Sequence, residues 1–479
     1  MMPQVGSEMK AAAEAQAVSR AALLRSVVDR FVLPARRVGP ATVGVLVVGL
    51  AVLWSVVGPS DGSWSSFLGQ LAGAEAILLM SIALVLISTL PWVETWFDGI
   101  DRAAIWHRRL VITGMILLIP HVMLAASRQR SSWGSVLANI SLYGLLALVV
   151  WAILPRWRSV LPRPARRVVA GAEAWAAGNR VAGGVLAGAR WLLGDYERWR
   201  AVHRVTGLFV AAGFVHGLAD STAFGSGLLR WIYVGIGGIG LVVYVYRETV
   251  AKYFLPLHDY QVAEVARVGP GLAEIGLTPI GPAMQFVPGQ FAMLFLEGKN
   301  GWRRHPFTMA SAPHDGVLRF TIKSLGDDTA EMHHTVQPGM PAVVGGPHGR
   351  FVHPRGTDDQ IWIAGGIGIT PFLSWLRTLD RDPVRGQVAL YYANAGPAPF
   401  ADEITAIAAN HDNIHLHLVD TSSQGRLTAD QILAENPADP RRLSVFLCGP
   451  RGMVQTFTQR FRRAGVAPRN LHREHFDWR

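Results

Sequence analysis

The chain has 479 residues, half of them hydrophobic, a mean hydropathy of +0.25 and a formal net charge of +11. That length exceeds one compact domain, and that hydropathy points to membrane segments rather than a purely soluble globule. The single cysteine, Cys448, excludes an internal disulfide framework, a cysteine-based zinc site and an iron–sulfur cluster.

Residues 1–40 read as an Ala-rich N-terminal tail with scattered Arg, and no signal-peptide pattern opens it. The run 41–58 (ATVGVLVVGLAVLWSVVG) is apolar and long enough to span a bilayer. Further apolar runs at about 72–90, 104–124, 135–153, 203–222 and 229–246 predict six spans in all. The segment SDGSWSSFLGQ between the first two runs reads as a loop without Lys or Arg, and the other alternate loops carry only Arg128, Arg130 and Arg230. The stretch 154–202 instead carries Arg156, Arg158, Arg163, Arg166, Arg167, Arg180, Arg190, Arg198 and Arg200. By the positive-inside rule both termini are expected on the cytoplasmic side of an inner (plasma) membrane of bacterial type. The basic excess then reflects topology and attraction to lipid, not nucleic-acid binding.

Only four of the 16 histidines precede residue 250: His107, His121, His203 and His216. They lie in the third and fifth runs, spaced by 14 and 13 residues. Those spacings rise about 21 and 19.5 Å on a helix, so two neighbouring helices offer two His–His pairs, one near each leaflet. Paired imidazoles hold the iron of an electron-transferring haem. The plainer alternative is that they plug the bundle interior as hydrogen-bonded polar residues. Thirteen residues also leave His203 and His216 about 140° apart around an ideal helix. A bend or π-bulge at Gly207 or Gly213 is expected to correct the rotation.

WHRRLVITGMILLIPH and HRVTGLFVAAGFVH together resemble the ferric reductase and NADPH oxidase superfamily of six-helix haem proteins. The resemblance implies that His107 and His203 hold an inner b-type haem, and His121 and His216 an outer one. Phe209 is similar to an aromatic which that family places between the haems, with simple packing as the alternative. Arg108 and Arg204 flank the inner ligands, as partners for haem propionates or as anchors at the membrane edge.

After residue 250 Gly, Pro and β-branched residues rise. VPGQFAMLFLE, VLRFTIKSL and AVVGGPHGRF predict strands of a small β-barrel. WRRHPFTMASAP (302–313) offers Arg304, His305, Thr308 and Ser311, the hydroxyls and cations a flavin and its pyrophosphate need. IKSLGDDT (322–329) adds Lys323, Gly326 and Thr329, and GGPHGRF (345–351) a turn with Gly346 and Gly349. In this order they resemble the flavin domain of the ferredoxin reductase superfamily. The resemblance implies that His305, Pro306, Phe307 and Thr308 line FAD, with Thr308 nearest N5.

IWIAGG, VALYYAN, IHLHLVD and SVFLCGP predict four strands of a parallel α/β sheet. Gly365, Gly366, Gly368, Thr370 and Pro371 make a strand–turn–helix start where a dinucleotide pyrophosphate binds. Cys448, Gly449 and Pro450 end the last strand, and the resemblance sets the cysteine beside the nicotinamide; a buried small hydrophobe is its plainer role. Arg426 is the one candidate for a 2′-phosphate, which leans the cofactor to NADPH over NADH. The ending REHFDWR matches the superfamily's E-x-F finish at Glu474 and Phe476, so Phe476 or Trp478 is expected to stack on the flavin as a lid.

The expected organisation is a tail (1–40), an all-α six-helix transmembrane haem domain (41–250), an FAD-binding β-barrel (251–356) and an NAD(P)H-binding α/β domain (357–479). The expected activity is transfer of electrons from NAD(P)H through FAD and two haems to ferric iron or oxygen across the membrane. A quinone or periplasmic protein is the alternative acceptor, and a non-catalytic redox sensor the alternative role.

Overall fold

The computed structural model describes residues 35–59, 63–88, 90–125, 132–153, scattered positions between 165 and 188, and then 196–219, 224–253, 256–298, 301–436 and 438–474. Most of the tail, most of the arginine-rich segment 154–202, and Phe476 and Trp478 lie outside the described residues. Contacts divide the chain into two units, with the break between Tyr253 and Phe254.

The first unit is helical: α1 (Ala35–Val57), α2 (Trp64–Leu86), α3 (Pro91–Phe97), α4 (Ile100–Leu124), α5 (Ser132–Ile153), α6 (Tyr196–His203), α7 (Thr206–Ala219) and α8 (Gly227–Val245). Among the described residues six helical stretches are long and apolar enough to cross a membrane: Val38–Val57, Trp64–Leu86, Ile100–Leu124, Ser132–Ala152, Ala201–Ala219 and Gly227–Val250. The second starts eight residues before the expected run, inside SDGSWSSFLGQ. Ser63 caps it by accepting from the Ser66 amide, which makes Trp64 and Phe67 helical instead of loop residues. The seven-residue α3 was not expected; Pro91 starts it and Asp98 ends it in the left-handed region at φ 63°.

The expected correction of the thirteen-residue spacing lies elsewhere than at the glycines. The helix breaks at Arg204–Val205, directly after His203. The Tyr244 hydroxyl donates to the freed Arg204 carbonyl at 2.8 Å, and Thr206 Oγ1 donates to the His203 carbonyl at 2.5 Å. Gly207 and Gly213 serve packing: a Cβ there would lie 2.4 Å from the Tyr244 ring and 2.7 Å from Ser141 Oγ.

The second unit holds two sheets. The first contains β1 (Leu257–Gly269), β2 (Leu272–Pro279), β3 (Phe291–Gly298), β4 (Gly301–Thr308), β5 (Leu318–Lys323) and β6 (Pro341–His348), in the order β4-β3-β6-β1-β2-β5. All its pairs are antiparallel, and a bridge from Met309 to Phe320 curls β4 towards β5 into a half-barrel around Tyr260, Leu277, Leu294, Phe320 and Val344. Helix α9 (Asp327–Thr335) connects β5 to β6.

The second sheet is parallel and contains β7 (Gln360–Gly365), β8 (Val388–Asn394), β9 (Ile414–Asp420), β10 (Ser444–Cys448) and β11 (Leu471–Glu474), in the order β11-β10-β7-β8-β9. Helices α10 (Thr370–Leu376), α11 (Ala401–Ala409), α12 (Ala429–Glu435) and α13 (Arg451–Arg463) connect the strands. Both faces are apolar, one packed around Trp362, Phe372 and Trp375 and the other around Ile363, Val445 and Phe461. The two sheets meet through α10: Ser374 Oγ donates to the Ser311 carbonyl at 2.8 Å, and Trp375 Nε1 donates to the Pro288 carbonyl at 3.0 Å.

Candidate functional site

In the helical unit the four histidines stand as two pairs. The rings of His107 and His203 are 6.4 Å apart between centroids with planes at 89°, and those of His121 and His216 are 6.3 Å apart at 67°. A metal ion bonded at ~2.0 Å to one nitrogen of each of two opposed imidazoles sets the centroids about 6.3 Å apart. Nδ1 of His107 lies 2.8 Å from the Ala83 carbonyl, that of His121 2.9 Å from Gly69, and that of His216 2.9 Å from Gly134. A carbonyl can only accept, so each Nδ1 carries the proton and the lone pair stays on Nε2, as ligation requires. Close approach of α2 makes this possible, since a Cβ on Gly73 would lie 2.5 Å from His121 Nδ1. His203 differs: its Nδ1 meets Thr206 Oγ1 at 3.4 Å and its ring stacks on Trp199 at 4.7 Å.

Two nitrogens leave most of a metal's coordination unfilled. Among the described residues no group of three or more His, Cys, Asp or Glu could hold a bare metal ion. What fits the pairs is a metal that brings its own equatorial ligands, as haem does. Phe209 seats on Gly144, where a Cβ would be 2.3 Å from its ring. Arg204 places Nε and Nη2 both at 2.6 Å from Oε2 of Glu248, and Arg108 is exposed.

In the second unit HPFT forms the end of β4, with Thr308 opposite Phe291 on β3. Thr308 is only 3% exposed, and its Oγ1 has no hydrogen-bond partner among the described residues. A buried hydroxyl is rarely left so, and a bound group is one explanation. His305 lies 3.3 Å from Asp328, and Arg304, Pro306 and Phe307 line the same strand. Gly346 and Gly349 have φ of 142° and 97°, as tight backbone turns beside Phe291 and His348 require. Two of the expected flavin contacts also bond within the protein. Ser311 Oγ accepts from the Arg319 amide at 3.1 Å, and Thr329 Oγ1 accepts from the Leu325 and Gly326 amides at 3.0 and 3.1 Å. Lys323 closes β5 and is half-buried.

The strand order of the parallel sheet reverses between β7 and β10, which makes that edge the switch point where such sheets bind ligands. The turn Gly366–Ile369 follows β7, and Thr370 and Pro371 open α10. Gly366 has φ 55° and Gly449, after β10, φ 152°. A Cβ on Gly368 would lie 2.3 Å from the Cys448 carbonyl oxygen, and one on Gly365 2.9 Å from Pro450. Cys448 and Glu474 are register partners on β10 and β11. Burial pushes the Glu474 carboxyl well above the usual carboxylate range, and burial and the neighbouring Glu474 push the Cys448 thiol up. Both shifts favour the protonated, neutral form. At the end of β9 Asp420 accepts from Gly396, Ser422 and Ser423, which hold its carboxyl far below the usual range; Arg426 is exposed six residues on.

Residues 278–361 match the FAD-binding domain family, and residues 362–459 match the oxidoreductase NAD-binding domain family. The reductase subunit of an aromatic O-demethylase from Amycolatopsis is 30% identical over 245 residues, which are 46% of this chain and 70% of that protein. The chain belongs to the FAD- and NAD-binding reductases of ferredoxin-reductase type. This reductase module is also similar to an NADPH oxidoreductase of Mycobacterium tuberculosis, 31% identical over 41% of this chain and 53% of that one. The chain thus spans about half the length of that relative. The crystal structure of an Amycolatopsis cytochrome P450 reductase is 28% identical, over 46% of this chain and 71% of that one, at a TM-score of 0.41. The reductase module supplies an FAD-binding half-barrel and an NAD(P)H-binding sheet, and the unfilled Thr308 hydroxyl and the glycine-lined edge at β7 and β10 fit those two groups.

Proposed function

We propose that the whole chain is a transmembrane oxidoreductase of the ferric reductase and NADPH oxidase type, drawing electrons from NAD(P)H on the arginine-rich side of a bilayer and delivering them to ferric iron or oxygen on the other. When bound, FAD accepts a hydride and yields its electrons singly, and a bis-imidazole haem carries one electron at a time. Thr308 orients the flavin through its buried hydroxyl. The backbone at Gly366–Gly368 and Gly449 admits the dinucleotide close to the sheet edge. Cys448 and Glu474, both buried, exclude water from that edge. His107 with His203, and His121 with His216, would hold two irons at fixed orientation, because three of the four rings are locked by backbone carbonyls.

The observation that carries this reading is the pair of imidazole separations, 6.4 and 6.3 Å, on helices that also qualify as spans. Purified protein from haem-replete cells should contain two haems per chain. His121→Ala or His216→Ala should remove one, and His107→Ala or His203→Ala the other, with reduction of FAD by NAD(P)H retained in all four. An iron-free parent protein would end this reading. Mixing the reduced parent with oxygen, ferric citrate or a quinone identifies the acceptor.

A further inference from the structure

Arg377 is the C-cap of α10, nine residues after Gly368 in the nucleotide turn. Its side chain is 12% exposed and its guanidinium makes four hydrogen bonds. Nε and Nη2 donate to the two carboxylate oxygens of Glu403 at 2.6 and 2.9 Å, the planar two-point geometry that only Arg provides. Nη1 donates to Glu274 at 3.1 Å and to the Ala310 carbonyl at 2.9 Å. Glu403 belongs to the nucleotide sheet's α11 and Glu274 to strand β2 of the half-barrel. Ala310 lies two residues beyond Thr308, on the segment that carries the orphaned flavin-site hydroxyl. Glu403 therefore fixes the guanidinium in the nucleotide domain, and the third donor grips the flavin segment from there.

We propose that Arg377 is a positioning residue for hydride transfer, setting the separation between the nicotinamide turn at Gly366–Gly368 and the flavin segment Thr308–Ser311; this rests on the reading of those two segments as the flavin and nicotinamide sites. In the step concerned the C4–H bond of the dihydronicotinamide breaks with its electron pair and an N5–H bond forms on the flavin. The nicotinamide is oxidised, and the flavin reduced, by two electrons. Such a step depends steeply on the distance between the two rings. Ser374 and Trp375 also join the domains, through Ser311 and Pro288. Those bonds persist when Arg377 is changed, so the domains stay docked while the Thr308 segment loses its charged tether. Glu274 keeps a second cation, Arg319, at 3.6 Å and is not stranded.

The test uses the full-length, FAD-loaded protein in detergent, with rapid anaerobic mixing against NADH or NADPH and their C4-deuterated forms. Arg377→Met should slow flavin reduction about 10- to 100-fold, the cost of a misplacement near 1 Å. FAD occupancy and nicotinamide Kd should stay within about twofold of the parent, and Arg377→Lys should recover part of the rate. Glu403→Gln, which weakens the fork and spares the Ala310 contact, should slow the step by a smaller factor and serves if Arg377→Met does not fold. A parental rate in either Arg377→Met or Glu403→Gln overturns the proposal. So does a parallel fall of FAD occupancy, nicotinamide binding and rate with no rescue by Lys, since that pattern marks a purely structural residue. A parent protein whose flavin neither cofactor reduces would instead overturn the site reading, and this role with it.

Discussion

Replacing Gly368 by Ala tests the nucleotide edge with a single methyl group. The new Cβ would sit 2.3 Å from the Cys448 carbonyl oxygen, 2.5 Å from its carbon and 2.7 Å from the Gly449 nitrogen. Ordinary contact begins near 3.4 Å, so the two backbones must part by about 1 Å. Neither can rotate away as a side chain would, because Cys448 is locked in register between Ala364 and Glu474. Overpacking of this kind costs about 1–3 kcal/mol, and a displacement of ~1 Å at a reacting centre costs on the order of 100-fold in rate. Thermal unfolding and rapid-mixing flavin reduction read the two effects separately. The expected result is a lower melting temperature, weaker nicotinamide binding and slower hydride transfer, with haem content unchanged. Gly452→Ala is the control: no atom lies within 4 Å of its Cβ, and in α13 the exchange should stabilise by up to about 1 kcal/mol. If Gly368→Ala matches the parent in melting, binding and rate, the close approach of the two turns does not form the site.

Glu474 and Glu75 allow two further tests. Burial raises the folded-state pKa of Glu474 above its ordinary value of 4.5, so the folded protein holds a proton that the unfolded chain has released; stability must fall as pH rises above about 4.5 and level off past the raised value. Glu474→Gln should remove that fall from a melting-temperature series, and an identical pH slope in both proteins would refute the assignment. In α2 Glu75 is 6% exposed, and neither carboxylate oxygen has a partner among the described residues. Glu75→Leu should stabilise by roughly 1–3 kcal/mol, read as a higher melting temperature in detergent, and a lower one would show that the carboxyl is paired.

Much of this architecture is legible in the sequence because it is local. Apolar runs mark the long apolar helices, the order of HPFT, the glycine turns and LCGP marks the flavin and nucleotide domains, and the intervals between histidines mark the pairs. What is not legible depends on partners distant in the chain. The carbonyls that orient His107, His121 and His216 are 24, 52 and 82 residues away, and the Glu274 partner of Arg377 is 103 away. Arg377 carried no signal at all, since it reads as the polar end of a short apolar helix. Thr329 and Ser311 also take partners that their motifs do not announce: one caps α9 and the other accepts from the β5 backbone at Arg319. The start of α2 was hidden by its cap, because Ser63 and the residues before it have the composition of a loop.

The break after His203 has a consequence for how the two imidazole pairs differ. On an unbroken helix His216 would face about 140° away from His203 and only one could meet α4. Two non-helical residues, Arg204 and Val205, reset the direction at a cost of unsatisfied carbonyls, which Thr206 and Tyr244 then occupy. The reset falls next to His203, so His203 alone lacks a backbone carbonyl on Nδ1 and is held by the Trp199 ring and a long contact to Thr206. A histidine whose Nδ1–H meets a carbonyl is the stronger electron donor to a metal, because the bond raises the basicity of the opposite nitrogen. The His107–His203 pair has one such ring and the His121–His216 pair has two. Stronger donation favours the oxidised metal, so by this difference alone the His121–His216 site would hold its electron less tightly than the His107–His203 site.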